Sequence, residues 1–384
     1  MHVCVIGAGL MGSAICYDLL HQTLADRVTL VDMNKDALCH AKEICGSDRL
    51  QTEQVDISDE KKMKEVCIGS TVMISAVPYF FNETLTRMAI ECGSHFIDLG
   101  GNNDVVASQQ ALHDDAIDGG VTVIPDSGLA PGLVSVITRD VVDCYKDVNY
   151  VKLRVGGLPV HPQPPLNYEI VFSPNGLINE YVEDAVVLDQ GKLVTKQSLT
   201  EVELISFPEP FGEMEAFVTS GGCSTLPSTY KDMIPYLDYK TIRYPGHCEK
   251  MKTFIDLGFG STNPVVINDV SIAPRDMMIH QLNKMLPKTG DDVVLLKVLT
   301  QAKKNGELLD VEYTMIDYKD PHSTLTAMMR TTGFPVSITA DLIGRKHINK
   351  SGVFCPEEIV PSQLMFEELR KRKVVIDKKE KVHE

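Results

Sequence analysis

The chain lacks any apolar run of about eighteen residues, so no membrane-spanning helix is expected. Its ten cysteines, at positions 4, 16, 39, 45, 67, 92, 144, 223, 248 and 355, form no CxxC pair and no zinc-ligand spacing. Reduced thiols in a cytoplasmic protein fit that scatter, and no metal is expected. Positive charge is also short. With 37 Lys and Arg against 53 Asp and Glu, the net charge of -16 argues against nucleic acid as a partner. No signal peptide is expected, because a strand starts at once and a glycine loop interrupts the apolar stretch. No internal repeat and no low-complexity tract occurs. What remains is an ordinary soluble composition, 43% hydrophobic and 23% charged, in 384 residues, long enough for two domains.

The apolar residues 3–6 run straight into Gly7-Ala8-Gly9-Leu10-Met11-Gly12, and a second apolar run, 28–31, delivers Asp32 with Met33 beside it. A glycine-rich turn alone is a weak signal, but between a strand and a helix it reads as a dinucleotide-binding fingerprint. Gly7 allows the tight turn, Gly9 lets the backbone approach a pyrophosphate, and Gly12 lets the helix pack closely on the sheet. The first amides of that helix then face the phosphates. Asp32 is placed to accept both hydroxyls of the adenosine ribose and to repel a 2'-phosphate, which favours NAD over NADP. Lys35 argues faintly the other way.

Strand and helix patterns alternate through the first third. Further strands are expected at 50–55, 71–77, 95–99 and 121–125, with helices at about 33–45, 59–68, 80–93 and 104–119. Six such strands predict an α/β, Rossmann-type doubly wound parallel sheet. Ligands of such sheets lie along the carboxyl ends of the strands. Asp56 and Ile57 are therefore candidates for the adenine edge, Ala76, Val77 and Pro78 for the middle of the cofactor, and residues 98–101 with Asp126 for the nicotinamide end. After the sixth strand, Gly128-Leu129-Ala130-Pro131-Gly132 precedes an apolar helix. Its amides, near Leu129, Pro131 and Gly132, can hold a carboxylate or the nicotinamide amide, or simply start a helix.

Beyond about residue 150 the pattern changes to strands read as antiparallel, at 148–155, 167–172, 185–188, 193–195, 253–257 and 308–318, followed by a helix at 323–344. The expected organisation is a Rossmann domain over 1–126, an α+β substrate-binding and dimerisation domain over 127–345, and a C-terminal segment over 346–384 that returns to the first domain. The basic run 370–373 reads as a solvated helix face.

Two stretches carry more than composition. One contains Gly156-Gly157-Leu158-Pro159, Asn167-Tyr168-Glu169-Ile170 and Leu177-Ile178-Asn179-Glu180-Tyr181; the other is Arg243-Tyr244-Pro245-Gly246-His247-Cys248-Glu249-Lys250. With Asp126-Ser127-Gly128-Leu129-Ala130-Pro131-Gly132 and the opening fingerprint, they make the chain resemble the saccharopine dehydrogenase-like family, nearest to its lysine 6-dehydrogenase branch. The resemblance covers nearly the whole chain. It implies NAD-linked oxidation at a carbon bearing nitrogen, in a homodimer. The carbon is the ε-carbon of L-lysine in the first reading and the secondary amine of saccharopine in the second; carboxynorspermidine-type imine reduction and a non-enzymatic NAD-binding regulator are further alternatives.

Either oxidation needs a neutral amine, hence a proton acceptor, and a fixed hydride distance, which closure of two domains supplies. His247 is the first candidate for proton transfer, because histidine titrates near neutrality; the alternative is a packed core histidine. Asp126 either attracts the substrate ammonium or caps the next helix. Arg243 and Lys250 pair with a substrate carboxylate or are ordinary charge. Tyr168 and Tyr181 line the pocket or pack in the core.

Overall fold

A computed structural model of the chain describes residues 1–383. It divides into two compact units: Met1–Cys144 with Asp320–Leu325 and Met329–Ile376, and Tyr145–Lys319 with Thr326–Met328 and the residues from Asp377 on. Among the described residues no helix is long and apolar enough to cross a membrane.

The first unit holds the expected doubly wound sheet. Its strands are β1 (His2–Ile6), β2 (Arg27–Asp32), β3 (Leu50–Gln54), β4 (Val72–Ser75), β5 (His95–Asp98) and β6 (Thr122–Ile124). The order is β6-β5-β4-β1-β2-β3, with the short strand Gly352–Val353 added beyond β6, and every neighbour is parallel. Central strands of a parallel sheet are buried on both faces, so they are apolar throughout. Val3, Cys4 and Val5 of β1 and Val72, Met73 and Ile74 of β4 are all fully buried. The edge strand β3 is instead largely polar and exposed. Strand order reverses beside β1, so the carboxyl ends of β1 and β4 open the crevice where such sheets take ligands.

The first unit reaches further than the sequence pattern predicts. The helix Leu133–Cys144, expected to open the second domain, belongs to the first. Buried Asp140 on that helix accepts hydrogen bonds from Ser362 Oγ at 2.9 Å and Gln363 Nε2 at 2.6 Å, tying it to the helix Ser362–Lys371. The C-terminal segment thus packs within the first unit, and Arg372 closes it with a bond from Nε to buried Asp18 Oδ1 at 2.7 Å. The expected basic face at 370–373 is therefore divided, since Arg372 is buried in ion pairs with Asp18 and Glu368.

The second unit is built on a mixed sheet. Its strands are β7 (Lys146–Pro159), β8 (Ala185–Asp189), β9 (Lys192–Lys196), β10 (Glu203–Ser206), β11 (Glu213–Val218) and β12 (Tyr236–Arg243), then the hairpin β13 (Val265–Ile267) and β14 (Val270–Ile272), then β15 (Asp292–Lys304) and β16 (Glu307–Tyr318). The path runs β10-β11-β12-β7-β15-β16 and ends on Asp377–Val382. The strands are antiparallel as expected except for β7 and β12, which pair in parallel. Gly156 on β7 lets that pair approach closely, because a Cβ there would lie 2.4 Å from the Ile242 carbonyl oxygen.

Two expected strands are absent. Residues 167–172 form irregular chain, with Asn167 at φ 51°, and 253–257 lie in the helix His247–Asp256 and the turn that follows it. That short apolar run shows no strand-like burial, since Phe254 is 41% and Leu257 70% exposed. A carboxylate on a distant strand starts the helix: Glu215 accepts from Gly246 N at 2.8 Å and Cys248 N at 2.6 Å. Such a cap from outside the helix leaves no local sequence signature.

Candidate functional site

One candidate site is the glycine loop after β1. A Cβ on Gly7, at φ 106°, would lie 2.7 Å from the Ala76 carbonyl oxygen, and one on Gly12 only 1.8 Å from that of Gly7. Both glycines are required by the protein itself. Gly9 is different: its φ of -71° suits any residue and nothing lies within 4 Å of its Cβ position. Gly9 is thus the place where a side chain would fill the cradle over the first turn of the helix Leu10–Gln22, whose amides have no side-chain cap. That open approach to a helix N-terminus fits a dinucleotide pyrophosphate.

Asp32 ends β2 beside this loop. Its Oδ2 accepts from Ala8 N and its Oδ1 from Asn34 N, each at 2.7 Å. The carboxylate therefore fixes the loop. Met33 is 64% exposed beside it. Asp56 turns onto its own loop, accepting from Ser58 N and Oγ, with partly buried Ile57 packed on the core behind it. Ala76 is bonded to β1 through its amide, and Val77 and Pro78 lead from β4 into the short turn Tyr79–Phe81.

At the ends of β5 and β6 lies a rigid carboxylate pair. Buried Asp98 accepts from Gly100 N at 2.7 Å and Asp126 N at 3.2 Å through Oδ1, and from Gln109 Nε2 at 2.6 Å through Oδ2. Burial pushes its carboxyl up, against the pull of those donors. Asp126 is 1% exposed and held at φ 60°. Gly100 makes room for it, since a Cβ there would fall 1.9 Å from Asp126 Oδ1. Leu129, Pro131 and Gly132 are buried in the turn that follows.

Within the second unit, another candidate site is a buried polar cluster. Arg243, at the end of β12, is 2% exposed, and its Cζ stands 4.8 Å from the ring centre of Tyr168. Its Nε donates to Tyr181 Oη at 3.1 Å and its Nη1 to the Ile242 carbonyl at 2.9 Å. No carboxylate lies within ion-pair distance of it among the described residues. The other buried arginines have carboxylates beside them, Arg154 with Asp238 and Glu203, Arg372 with Asp18 and Glu368, and Arg330 with Asp320 at 3.9 Å. A buried charge without a partner is costly, so a guanidinium left this way suits an incoming anion.

His247 is 1% exposed, with both nitrogens engaged. Nδ1 lies 3.1 Å from the Leu166 carbonyl, which can only accept, so Nδ1 carries the proton and Nε2 accepts from Tyr181 Oη at 3.0 Å. Burial, followed by the nearby Arg243, pushes its pKa down to about 3. It stays neutral at physiological pH and orients Tyr181. Tyr168 stacks edge-on against it, 5.2 Å between ring centres, and the Tyr168 hydroxyl is buried without a hydrogen-bond partner. The structure thus gathers Tyr168, Tyr181, Arg243 and His247. It leaves Lys250 outside, exposed and donating to the Pro165 carbonyl at 2.8 Å. Asp126 belongs to the other unit.

One residue of the cluster escapes sequence reasoning. Glu180, next to Tyr181 on the helix Pro174–Val182, is half-buried, and burial pushes its carboxyl up to about 7 although Arg243 pulls the other way. Nothing local marks it, because the environment comes from strands and loops far along the chain.

Residues 3–124 match the family model described as the saccharopine dehydrogenase NADP binding domain, and residues 128–375 the saccharopine dehydrogenase C-terminal domain. The mitochondrial alpha-aminoadipic semialdehyde synthase of Mus musculus is 25% identical over 369 residues, covering 77% of this chain and 39% of that protein. The NADP(+), L-glutamate-forming saccharopine dehydrogenase of Saccharomyces cerevisiae is 22% identical over 261 residues, covering 65% of this chain and 57% of that protein. The chain thus spans less than two thirds of the length of either relative. Among solved structures, apo saccharopine dehydrogenase (L-Glu forming) from S. cerevisiae matches with a TM-score of 0.79 at 19% identity, over 99% of this chain and 100% of that one. Homospermidine synthase from Legionella pneumophila, in complex with NAD, matches at 0.70 and 13%, over 99% and 91% of the two chains. These likenesses show the fold, and the two family models together span nearly the whole sequence. The chain belongs to the saccharopine dehydrogenase family.

Proposed function

We propose that the protein oxidises a carbon–nitrogen bond of an amino-acid substrate of lysine metabolism with NAD, and that saccharopine, a secondary amine, is the leading substrate. Arg243 carries this reading: a buried guanidinium with no ion-pair partner among the described residues, beside an unpartnered tyrosine hydroxyl, suits a substrate carboxylate. The names of the relatives support the choice of saccharopine. A bound nicotinamide supplies the hydride acceptor, and the loop from Gly7 to Gly12 with Asp32 would hold the dinucleotide. Asp32 favours NAD here, although the matching family model and the yeast relative are named for NADP. The second reading is oxidation of L-lysine at its ε-carbon. It is favoured by Arg243 being the cluster's one buried cation without an anionic partner, enough for one carboxylate where saccharopine has three.

Purified protein is tested with NAD or NADP and with saccharopine, L-lysine or ornithine while reduced cofactor is followed. NADH formed with saccharopine supports the leading reading, NADH with lysine alone supports the second, and no reduced cofactor with either contradicts both. Arg243→Lys should raise KM for the amino acid by about 10-fold to 100-fold, because a lysine lacks the planar double donor, and leave NAD affinity unchanged.

A further inference from the structure

The Glu180 carboxyl has neither hydrogen bond nor ion pair among the described residues, although its backbone carbonyl is held by Ser220 N at 3.1 Å. The groups that feel its charge are Arg243 and Tyr239 from β12, Tyr168 from the preceding loop and Tyr181 on its own helix. Two helices pack against that helix: His247–Asp256, which contributes His247, and Pro274–Met285, which contributes Arg275. Arg275 is already committed, its Nε to the Gly260 carbonyl at 2.8 Å and its Nη1 to Asn179 Oδ1 at 2.6 Å. The second group without a partner is the Tyr168 hydroxyl, 1% exposed. Leaving a buried hydroxyl unpaired costs about 1–3 kcal/mol, so the Tyr168 hydroxyl beside an unneutralised guanidinium, with the half-buried Glu180 carboxyl in the field of the same Arg243, marks a place built for a polar ligand.

We propose that Glu180 accepts the proton of the substrate ammonium once the substrate carboxylate has docked on Arg243. The assignment rests on the amine-oxidation reading above. In this step one N–H bond of the substrate breaks and one O–H bond forms on the carboxylate. The nitrogen keeps its electron pair and no electron leaves the substrate, so the lone pair that C–H oxidation requires is freed. The neighbours are unsuited. His247 has both nitrogens engaged and a pKa near 3, burial pushes Tyr168, Tyr181 and Tyr239 up, and Arg243 stays charged. A carboxyl near 7 is ionised in about half of the molecules at neutral pH and is basic enough to take a proton.

Wild type, Glu180→Gln and Glu180→Asp are compared in two measurements. With NAD and whichever amino acid the wild type oxidises, Glu180→Gln should lower kcat/KM by about 10²-fold to 10⁴-fold and remove the acid limb near neutrality, with NAD affinity and Tm unchanged. In calorimetry on the cofactor-free protein, wild type should bind saccharopine about tenfold more weakly at about pH 6 than at about pH 8, and Glu180→Gln should bind equally at both. An unaltered acid limb, or the same pH dependence of binding in the Gln variant, overturns Glu180 and leaves amine oxidation standing. No turnover by wild type with saccharopine or lysine overturns the functional reading and Glu180 with it. Should the Gln variant fail to fold, Glu180→Asp keeps a carboxylate and should retain the acid limb at lower kcat. Its loss there overturns the proposal.

Discussion

The Tyr181 hydroxyl joins Arg243 to His247, accepting from Arg243 Nε at 3.1 Å and donating to His247 Nε2 at 3.0 Å. Tyr181→Phe would leave Arg243 Nε and His247 Nε2 buried without their present partner. Stability should fall by about 1–3 kcal/mol, measured as the shift of a urea unfolding midpoint at constant slope. A variant as stable as wild type would show that the bridge contributes nothing. Because the hydroxyl positions the guanidinium, KM for the amino acid should rise more than kcat falls.

His247 makes stability depend on acid pH with a definite sign. Its folded pKa, about 3, lies below the ordinary value of 6.5, so the unfolded chain binds the extra proton first. Its contribution is complete above about pH 6.5 and is lost as pH falls towards the folded value, at about 1.4 kcal/mol per unit. Unfolding titrations of wild type and His247→Gln between about pH 4 and pH 7 should show a steeper loss in wild type. Parallel curves would mean that His247 ionises freely in the folded protein.

Gly9 and Gly12 should respond differently to the same change. Gly12→Ala forces a Cβ to 1.8 Å from the Gly7 carbonyl oxygen, so Tm and NAD binding should both drop. Gly9→Ala meets nothing within 4 Å, so Tm should hold while NAD affinity falls at least about tenfold through lost pyrophosphate approach. Equal NAD affinity in Gly9→Ala and wild type would remove the loop from the cofactor site.

Asp32→Ala should weaken NAD, relax the preference over NADP and, through the lost bonds to Ala8 N and Asn34 N, destabilise the unit by about 1–2 kcal/mol. The ratio of the two cofactors' Kd values decides the matter. An unchanged ratio would leave Asp32 a purely structural ligand of the loop.

The glycine-loop site is legible in the sequence because its physics is local. A buried strand, a turn only glycine can make and a carboxylate at the next strand end all lie within residues 3–32. The polar cluster of the second unit is assembled from afar. Arg243 and Tyr181 can be named from motifs, but the burial that leaves Arg243 unpaired and lifts Glu180 depends on the parallel pairing of β12 with β7 and on helices packing over it. The same distance explains the domain boundary. Leu133–Cys144 reads as the start of a new domain, and only its bonds to Ser362 and Gln363 show where it belongs. The misread strand at 253–257 fails for a related reason, since Glu215, which starts that helix, lies 33 residues before Cys248.

The central claim is tested most directly by incubating purified protein with NAD and saccharopine and measuring NADH, glutamate and α-aminoadipic semialdehyde together. Equal amounts of the three, with NAD preferred over NADP, are predicted. NADH without glutamate, or no NADH from saccharopine or lysine at saturating cofactor, would contradict the account.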